Sequence, residues 1–437
     1  MHTKLTPSLV SAAALVVSLC TSLATSQDYY QPQRLFSPNP TLDTEFGVGI
    51  AVDDNFIAVG AYRNTDTLYR EGRVYLYNAT TGILVRQILT PGPFDNDAYG
   101  TDVAIEGNLL LVGAPQTQVV GGGAYLHNIN TGDEIAFLLP NAPPGQFGTS
   151  VALQAPLALL GAPGDDGNGP NTGAVYAFLT TNFIELTKLT PDNPIDNERF
   201  GLRVAIDGNY LVVGAPGFNN MPPDGSVYVF DVATGVQLHR LTPPDGNFVD
   251  LFGFGLDIDN GVIAVGSPEH SEDIFRVGAV YLFDAQTGNL IDKINHPNPA
   301  FRDNFGYSVA LEGDTLVVGA PGRDITGNNT GSTYVYNLAT GDIDEVSPFL
   351  VADEQRYGYA TAIFNSQIVA SGVGFVGNDT GYASKLLQYC DADINADGEL
   401  NFFDVSAFLK FQIDFNNDGQ FNFFDISGFL AAFSDAC

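Results

Sequence analysis

The sequence predicts an all-β seven-bladed β-propeller followed by a small α-type calcium-binding C-terminal domain. Three observations predict it. One motif recurs seven times at a period near 50 residues, four strand-like runs fill each copy but the last, and the last 48 residues change to two acidic loops in register.

The recurring motif is an aromatic residue followed by glycine: Phe46-Gly47, Tyr99-Gly100, Phe147-Gly148, Phe200-Gly201, Phe252-Gly253, Phe305-Gly306 and Tyr357-Gly358. Successive glycines are 53, 48, 53, 52, 53 and 52 residues apart. Thirteen residues after each comes a second mark, Gly60-Ala61, Gly113-Ala114-Pro115, Gly161-Ala162-Pro163, Gly214-Ala215-Pro216, Gly266-Ser267-Pro268 and Gly319-Ala320-Pro321; the seventh copy has Ser371 there. In the fourth copy, strands are expected over 203–206, 210–213, 226–230 and 236–241. Asp207-Gly208-Asn209 and Ala233-Thr234-Gly235 form the tight turns between them. β-Branched and aromatic residues fill the runs, as strands require. Four strands per copy at this period are the pattern of propeller blades. The glycines permit close backbone approach where blades converge, and the aromatic fills the wedge between neighbours. Pro after Gly-Ala ends the second strand without wasting a ladder donor.

The seventh copy offers only three strands, over 360–364, 367–370 and 382–387. The segment Gln33-Arg34-Leu35-Phe36-Ser37-Pro38 matches the fourth strand of other copies, such as His239-Arg240-Leu241-Thr242-Pro243. The mature N-terminus is therefore expected to complete the last blade and close the ring.

These units resemble FG-GAP repeats, as in the propeller of integrin α subunits and many bacterial surface proteins. The resemblance covers about residues 33–388. Integrin-type repeats often hold calcium in an Asp-rich loop between the first two strands. Here that loop is only Asp53-Asp54-Asn55, Glu106-Gly107-Asn108, Asp207-Gly208-Asn209 or Glu312-Gly313-Asp314, which makes this the short-loop variant. Such turns carry too few oxygens for a cage of about six to eight ligands.

Residues 1–26 read as a secretory signal peptide, with Lys4, an apolar run from Leu9 to Leu23, and Ala24-Thr25-Ser26 as a small-residue cleavage site. The propeller is assigned 27–388 and the C-terminal module 389–437. The expected localisation is secreted, extracellular or cell-surface associated, with no transmembrane segment. Cys20 lies within the signal, leaving Cys390 and Cys437 to bracket the last segment; an oxidising compartment predicts a disulfide between them. The net charge of −33, from 50 acidic and 17 basic residues, argues against nucleic acid and anionic membranes and suits calcium.

Because strands alternate, the loops between second and third strands share a face with the blade-to-blade connections. These are the long loops, 62–72, 163–173, 216–225, 268–278 and 321–331, with 91–99, 191–200 and 296–304. A protein or glycan ligand is expected on this face, since variable loops on a rigid scaffold are where binding sits. Asp165-Asp166 and Glu269-His270-Ser271-Glu272-Asp273 could recruit a cation there, but acidic runs usually face water, and solvated loops are the favoured reading.

In the C-terminal module two twelve-residue segments align without gaps, beginning at Asp393 and Asp414. The spacing is that of an EF-hand loop. Asp393, Asn395 and Asp397 supply side-chain oxygens, Glu399 a backbone carbonyl, and Asp404 closes the cage; Asp414, Asn416, Asp418, Gln420 and Asp425 repeat these roles. Oxygen-only donors favour Ca²⁺, two ions in all. The closing Asp, the duplication and the single helix after each loop resemble a dockerin. The bracketing cysteines make the module closest to dockerin-like modules of exported planctomycete proteins. The resemblance implies a cohesin-like or other surface protein as partner, held at the tenth and eleventh loop positions, here Phe402-Phe403 and Phe423-Phe424.

The four histidines beyond the signal, His127, His239, His270 and His296, lie at non-equivalent positions, and no zinc spacing, nucleophile elbow or phosphate loop occurs. A non-catalytic binding protein tethered by its tail is the leading expectation. A polysaccharide-degrading enzyme carried on a dockerin is the alternative.

Overall fold

The computed structural model describes residues 29–388, apart from 39–44, 64–71, 91–96, 117–120, 142–144, 218–224, 247–249, 273, 325–328, 349–354 and 375–380. The signal segment, the Cys390–Cys437 pair, both calcium loops and the Phe402-Phe403 and Phe423-Phe424 pairs lie outside the described residues. One compact unit spans Gln31–Leu386.

The described residues form seven four-stranded sheets. In blade 4 the strands are Arg203–Asp207, Tyr210–Ala215, Ser226–Asp231 and Gln237–Leu241, paired in chain order and antiparallel throughout. Five other blades repeat this order. The first strands are innermost and contact one another from blade to blade. Phe46–Val52 of blade 1 meets Tyr357–Phe364 of blade 7, so the ring is closed.

The seventh sheet differs as expected. Its order runs from Tyr357–Phe364 through Gln367–Gly372 and Tyr382–Gln388 to the N-terminal strand Tyr29–Leu35, which takes the outermost place. The residues after this strand fasten blade 7 to blade 1. Leu35 packs with Phe46, Tyr75 and Tyr77 of blade 1 and with Val369 and Ala383 of blade 7. Ser37 Oγ donates to Tyr75 Oη at 3.0 Å, and Tyr77 Oη donates to the Phe36 carbonyl at 2.7 Å.

The repeated aromatics do fill the wedges. Phe46, Tyr99, Phe147, Phe200, Phe252, Phe305 and Tyr357 are fully buried. Five of them meet a third-strand tyrosine of their own blade edge-on, at centroid distances from 5.4 to 5.5 Å, as in Phe200–Tyr228 and Phe305–Tyr334. The two repeated glycines turn out to face each other across the blade boundary. A Cβ on Gly161 would lie 1.9 Å from the Gly201 carbonyl oxygen, and one on Gly266 equally close to that of Gly306. At the closing joint Ser371 stands in this place, and its hydroxyl donates to the Gly47 carbonyl at 2.6 Å.

The outer strands are open edges. In blades 1 to 5 the register slips between the third and fourth strands, for example between Val229 and Phe230, which bends the edge away from flat pairing.

Candidate binding face

The two faces of the ring are built differently. On the short-turn face, the residue six positions after the motif glycine reaches the next blade in blades 2 to 6, whereas Asp53 of blade 1 accepts the Asn55 and Phe56 amides of its own turn. Glu106 accepts the Ala155 amide, Asp207 the Asn260 amide at 2.8 Å, and Asp259 the Gly313 amide at 2.7 Å. Glu312 takes the Asn365 and Ser366 amides at 2.6 and 2.8 Å, and Gln154 donates to the Gly208 carbonyl at 2.9 Å. This girdle was not foreseen. The acids in these turns act as inter-blade acceptors, each bonding a residue some 50 positions away.

On the long-loop face, the chain enters every blade through a non-glycine residue with positive φ: Glu45, Ala98, Gln146, Arg199, Leu251, Asn304 and Arg356, with φ between 44° and 61°. One position earlier stands an acid or amide that the structure buries: Asp97, Glu198, Asp250, Asp303 and Gln355. Each of these sites needs a donor. Glu198 accepts from Tyr228 Oη at 2.6 Å and lies 3.3 Å from Arg240 Nη2. Burial pushes its carboxyl up, and the tyrosine and arginine only partly offset this.

The acidic loops are solvated only in part: Asp166 and Glu272 are exposed, whereas Asp165 and His270 are buried. Asp165 is buried, accepting from Tyr176 Oη at 2.7 Å and from Lys188 Nζ at 2.9 Å. Burial pushes this carboxyl up, but Lys188, Tyr176 and the Gly167 amide outweigh it and hold it below the ordinary range. His270 is also buried. Its Nδ1 lies 2.8 Å from Asp250, and its Nε2 lies 3.1 Å from Lys293 Nζ, so it donates to the acid and accepts from the ammonium. Asp245, His270 and Glu272 are close enough together to hold a metal ion. Lys293 Nζ already sits among them, 2.5 Å from Asp245 and bonded to Glu272, and supplies the positive charge. The reason for the correction is that each loop folds its acid back onto a basic residue of the fourth strand.

The histidines are structural in their surroundings. His239 is on the outer strand of blade 4, bonded to the Gln286 carbonyl. His296 Nδ1 accepts the Asn298 amide at 3.1 Å, and its Nε2 faces Asp303 at 3.4 Å. Burial, aided by Arg323, lowers its pKa to about 3. His127 is buried in blade 2, sharing a 2.8 Å hydrogen bond with Tyr99 Oη, and burial lowers its pKa to about 4. An imidazole with a depressed folded pKa binds fewer protons than the unfolded chain, whose value is about 6.5. Its contribution is fully present above about pH 6.5 and is lost as pH falls towards 4, amounting to about 3 kcal/mol. Blades 3, 4 and 5 hold two phenylalanines in these places, such as Phe200 with Phe230 at 5.8 Å. The double substitution Tyr99→Phe/His127→Phe should therefore make the acid limb of denaturant-derived stability between about pH 6.5 and 4 shallower, leaving the part that His296 contributes. An unchanged acid limb would place the titration elsewhere.

The inner strands enclose a channel of about 600 Å³. Towards the long-loop face, the position after each motif glycine carries Val48, Thr101, Thr149, Leu202, Phe254, Tyr307 and Tyr359. The last three lie in adjacent blades and form an aromatic arc, Phe254 to Tyr307 at 4.7 Å and Tyr307 to Tyr359 at 4.9 Å between centroids. The Arg203 guanidinium lies 5.1 Å from the Phe254 ring. Deeper in, Asp102 and Asp257 each accept an amide of the next blade, from Val151 and Leu311, both at 2.8 Å. Burial raises the Asp257 carboxyl to about 7.

No helix among the described residues is long and apolar enough to cross a membrane. A comparison with protein families matches the FG-GAP repeat at residues 142–178, 183–230, 236–283 and 290–336. No curated protein matches the chain. The matched segments are out of phase with the blades. Residues 183–230, for instance, hold the outer strand of blade 3, Glu185–Leu189, and the first three strands of blade 4. The same phase makes the first strand of the chain the outer strand of the last blade. The chain is a seven-bladed β-propeller that carries FG-GAP repeats, which are typical of extracellular proteins.

Proposed function

We propose that the chain is an exported binding protein. Its propeller captures an extracellular ligand on the long-loop face, and its C-terminal module docks it to a surface partner through calcium. The asymmetry between the faces carries this reading. One face is short turns whose polar groups are committed to neighbouring blades, and the other is long loops around an arginine- and tyrosine-lined mouth. A rigid ring with one variable face is the arrangement in which loops serve recognition. Binding of the full chain to arrays of extracellular glycans and matrix proteins tests it. Block replacement of 163–173 or 268–278 by Gly/Ser should abolish capture, while Gly208→Ala and Asn209→Ser on the turn face should leave it intact. Retained capture after loop replacement would move the site elsewhere. Product release in a glycan-hydrolysis screen would favour the enzyme reading instead.

For the tail, the support is the donor set: Asp393, Asn395, Asp397 and Asp404, repeated as Asp414, Asn416, Asp418 and Asp425, with Glu399 and Gln420 offering carbonyls. Phe402, Phe403, Phe423 and Phe424 would face the partner, and the Cys390–Cys437 disulfide would close the module. Calorimetry on the full chain should count two Ca²⁺ per molecule. Asp397→Ala and Asp418→Ala should each remove one. Chelation should leave the propeller's β signal in circular dichroism unchanged.

A further inference from the structure

The joint between blades 5 and 6 departs from the repeat at four positions. Its two loops, 268–278 and 296–304, meet through the same backbone bonds as the loops between blades 3 and 4. The Arg302 amide donates to the Phe275 carbonyl at 3.1 Å and the Phe305 amide to the Val277 carbonyl at 2.8 Å. Asn197 donates likewise to Pro170 at 2.8 Å and Phe200 to Thr172 at 3.1 Å. Each joint holds two residues at positive φ, Asn171 and Asn197 at 47° and 62° in one, Arg276 and Arg302 at 55° and 63° in the other. Asparagine suits this conformation better than arginine does. The asparagines also bond each other, Asn171 Nδ2 donating to Asn197 Oδ1 at 3.1 Å. The residues before them, Pro170 and Asp196, have Phe275 and Phe301 as their counterparts. Both phenylalanines are exposed, at 50% and 58%, and their rings lie 5.9 Å apart. The Arg302 guanidinium lies 5.1 Å from the Phe301 ring and 6.0 Å from that of Phe275. Glu269 attracts both arginines but pairs with Arg276, at 3.1 Å, and Glu272 pairs with Lys293. Among the described residues Arg302 has no ion pair and no acceptor for its guanidinium.

We infer that this joint docks an extended segment of an extracellular protein that presents one carboxylate beside an apolar side chain. The inference rests on the long-loop face being the binding face, and it names the place on that face and the class of partner. Repeated residues serve the repeat, so four departures that add backbone strain and expose two rings serve something outside it. Aromatic residues and arginine are enriched at the cores of protein interfaces and among their hot spots. The Arg302 fork, with no acid of its own, matches a carboxylate in shape and charge. Beside the rings, Ile274, Val277 and Pro299 contribute apolar walls to a slot of about 170 Å³, the size of one side chain. Phenylalanine rings offer no hydrogen bond to a sugar edge, which favours a peptide over a glycan. A second copy of the chain would bring its own net charge of −33, and the repulsion opposes self-association.

The test is an array of glycine-flanked peptides probed with the full chain. Each peptide carries Asp or Glu between two residues drawn from Leu, Ile, Val, Phe and Tyr, and each is paired with its Asn or Gln counterpart. In fluorescence anisotropy the acidic member of the best pair should bind about 10- to 100-fold more tightly than the amide, the factor for a charged hydrogen-bonded contact. Arg302→Gln should erase that difference, and Phe275→Ser and Phe301→Ser should weaken both members. The quadruple variant Phe275→Pro/Arg276→Asn/Phe301→Asp/Arg302→Asn rebuilds the joint of blades 3 and 4. It should melt no lower than the parent and bind no peptide, which separates docking from a structural role. Arg302→Asn alone serves the same purpose if the quadruple variant fails to fold. Equal binding of acid and amide, no peptide bound by the parent, or a lower melting point for Arg302→Asn with unchanged peptide binding overturns the inference. So does preference of the parent for phosphatidylcholine vesicles, or a dimer in sedimentation that the quadruple variant dissolves. If capture of an extracellular ligand survives Arg302→Gln while replacement of 163–173 abolishes it, the inference fails and the reading of the face stands.

Discussion

Gly266→Ala should unfold the ring or destabilise it by about 4 kcal/mol or more, the range reserved for severe overpacking of a rigid site. The added Cβ would lie 1.9 Å from the Gly306 carbonyl oxygen and 2.8 Å from its carbon. Both belong to backbone that is held on either side, so no side chain can swing aside. Gly208→Ala is the control. Its backbone has φ +55°, but nothing lies within 4 Å of the new Cβ. It should cost only about 1 kcal/mol, from conformation alone. Denaturant titration of both variants separates a boundary glycine from a turn glycine. Equal effects would mean that adjacent blades can move apart freely.

Removing residues 27–38 should have the largest effect of all. The deletion strips the outer strand from blade 7 and leaves its third strand, Tyr382–Gln388, with an unpaired edge. It also takes Leu35 from the cluster that joins blade 7 to blade 1, and the bonds to Tyr75 and Tyr77. The two ends of the chain then no longer hold each other. The expected loss is comparable with the whole stability of a domain, about 5–15 kcal/mol. Thermal unfolding and limited proteolysis should show an opened chain, cleaved first in blades 7 and 1. A variant that melts with the parent would show that the inner strands alone keep the ring shut.

Much of this architecture was legible in the sequence because a repeat multiplies weak signals. One aromatic-glycine pair means little, and seven at one period place every blade. The match of Gln33–Pro38 to a fourth strand was enough to expect closure, and the strand takes that position. The polar chemistry was less legible. Asp165 and His270 read as solvated because sequence shows an acidic loop but not the lysine that faces it across the blade, Lys188 or Lys293. The signal that could have exposed the buried row is the acid or amide two residues before the aromatic, at Asp97, Glu198, Asp250, Asp303 and Gln355. The girdle at Glu106, Asp207, Asp259 and Glu312 was likewise visible as an acid six residues after the glycine in four of the copies. Its role depends on blade packing, which joins residues 49 to 54 apart. The third repeated glycine, as at Gly173 against Phe200, went unread for the same reason.

The claim on which the binding face depends is that the ring is closed and rigid. Native-state hydrogen exchange on the full chain tests it most directly. The amides of residues 31–35 that pair with the neighbouring strand Tyr382–Gln388 should exchange as slowly as those of 382–386, through global unfolding only, while the outward-facing amides of this edge strand exchange fast in any case. Fast exchange of the paired amides as well would show an N-terminal strand that detaches from the last blade, and would contradict the account.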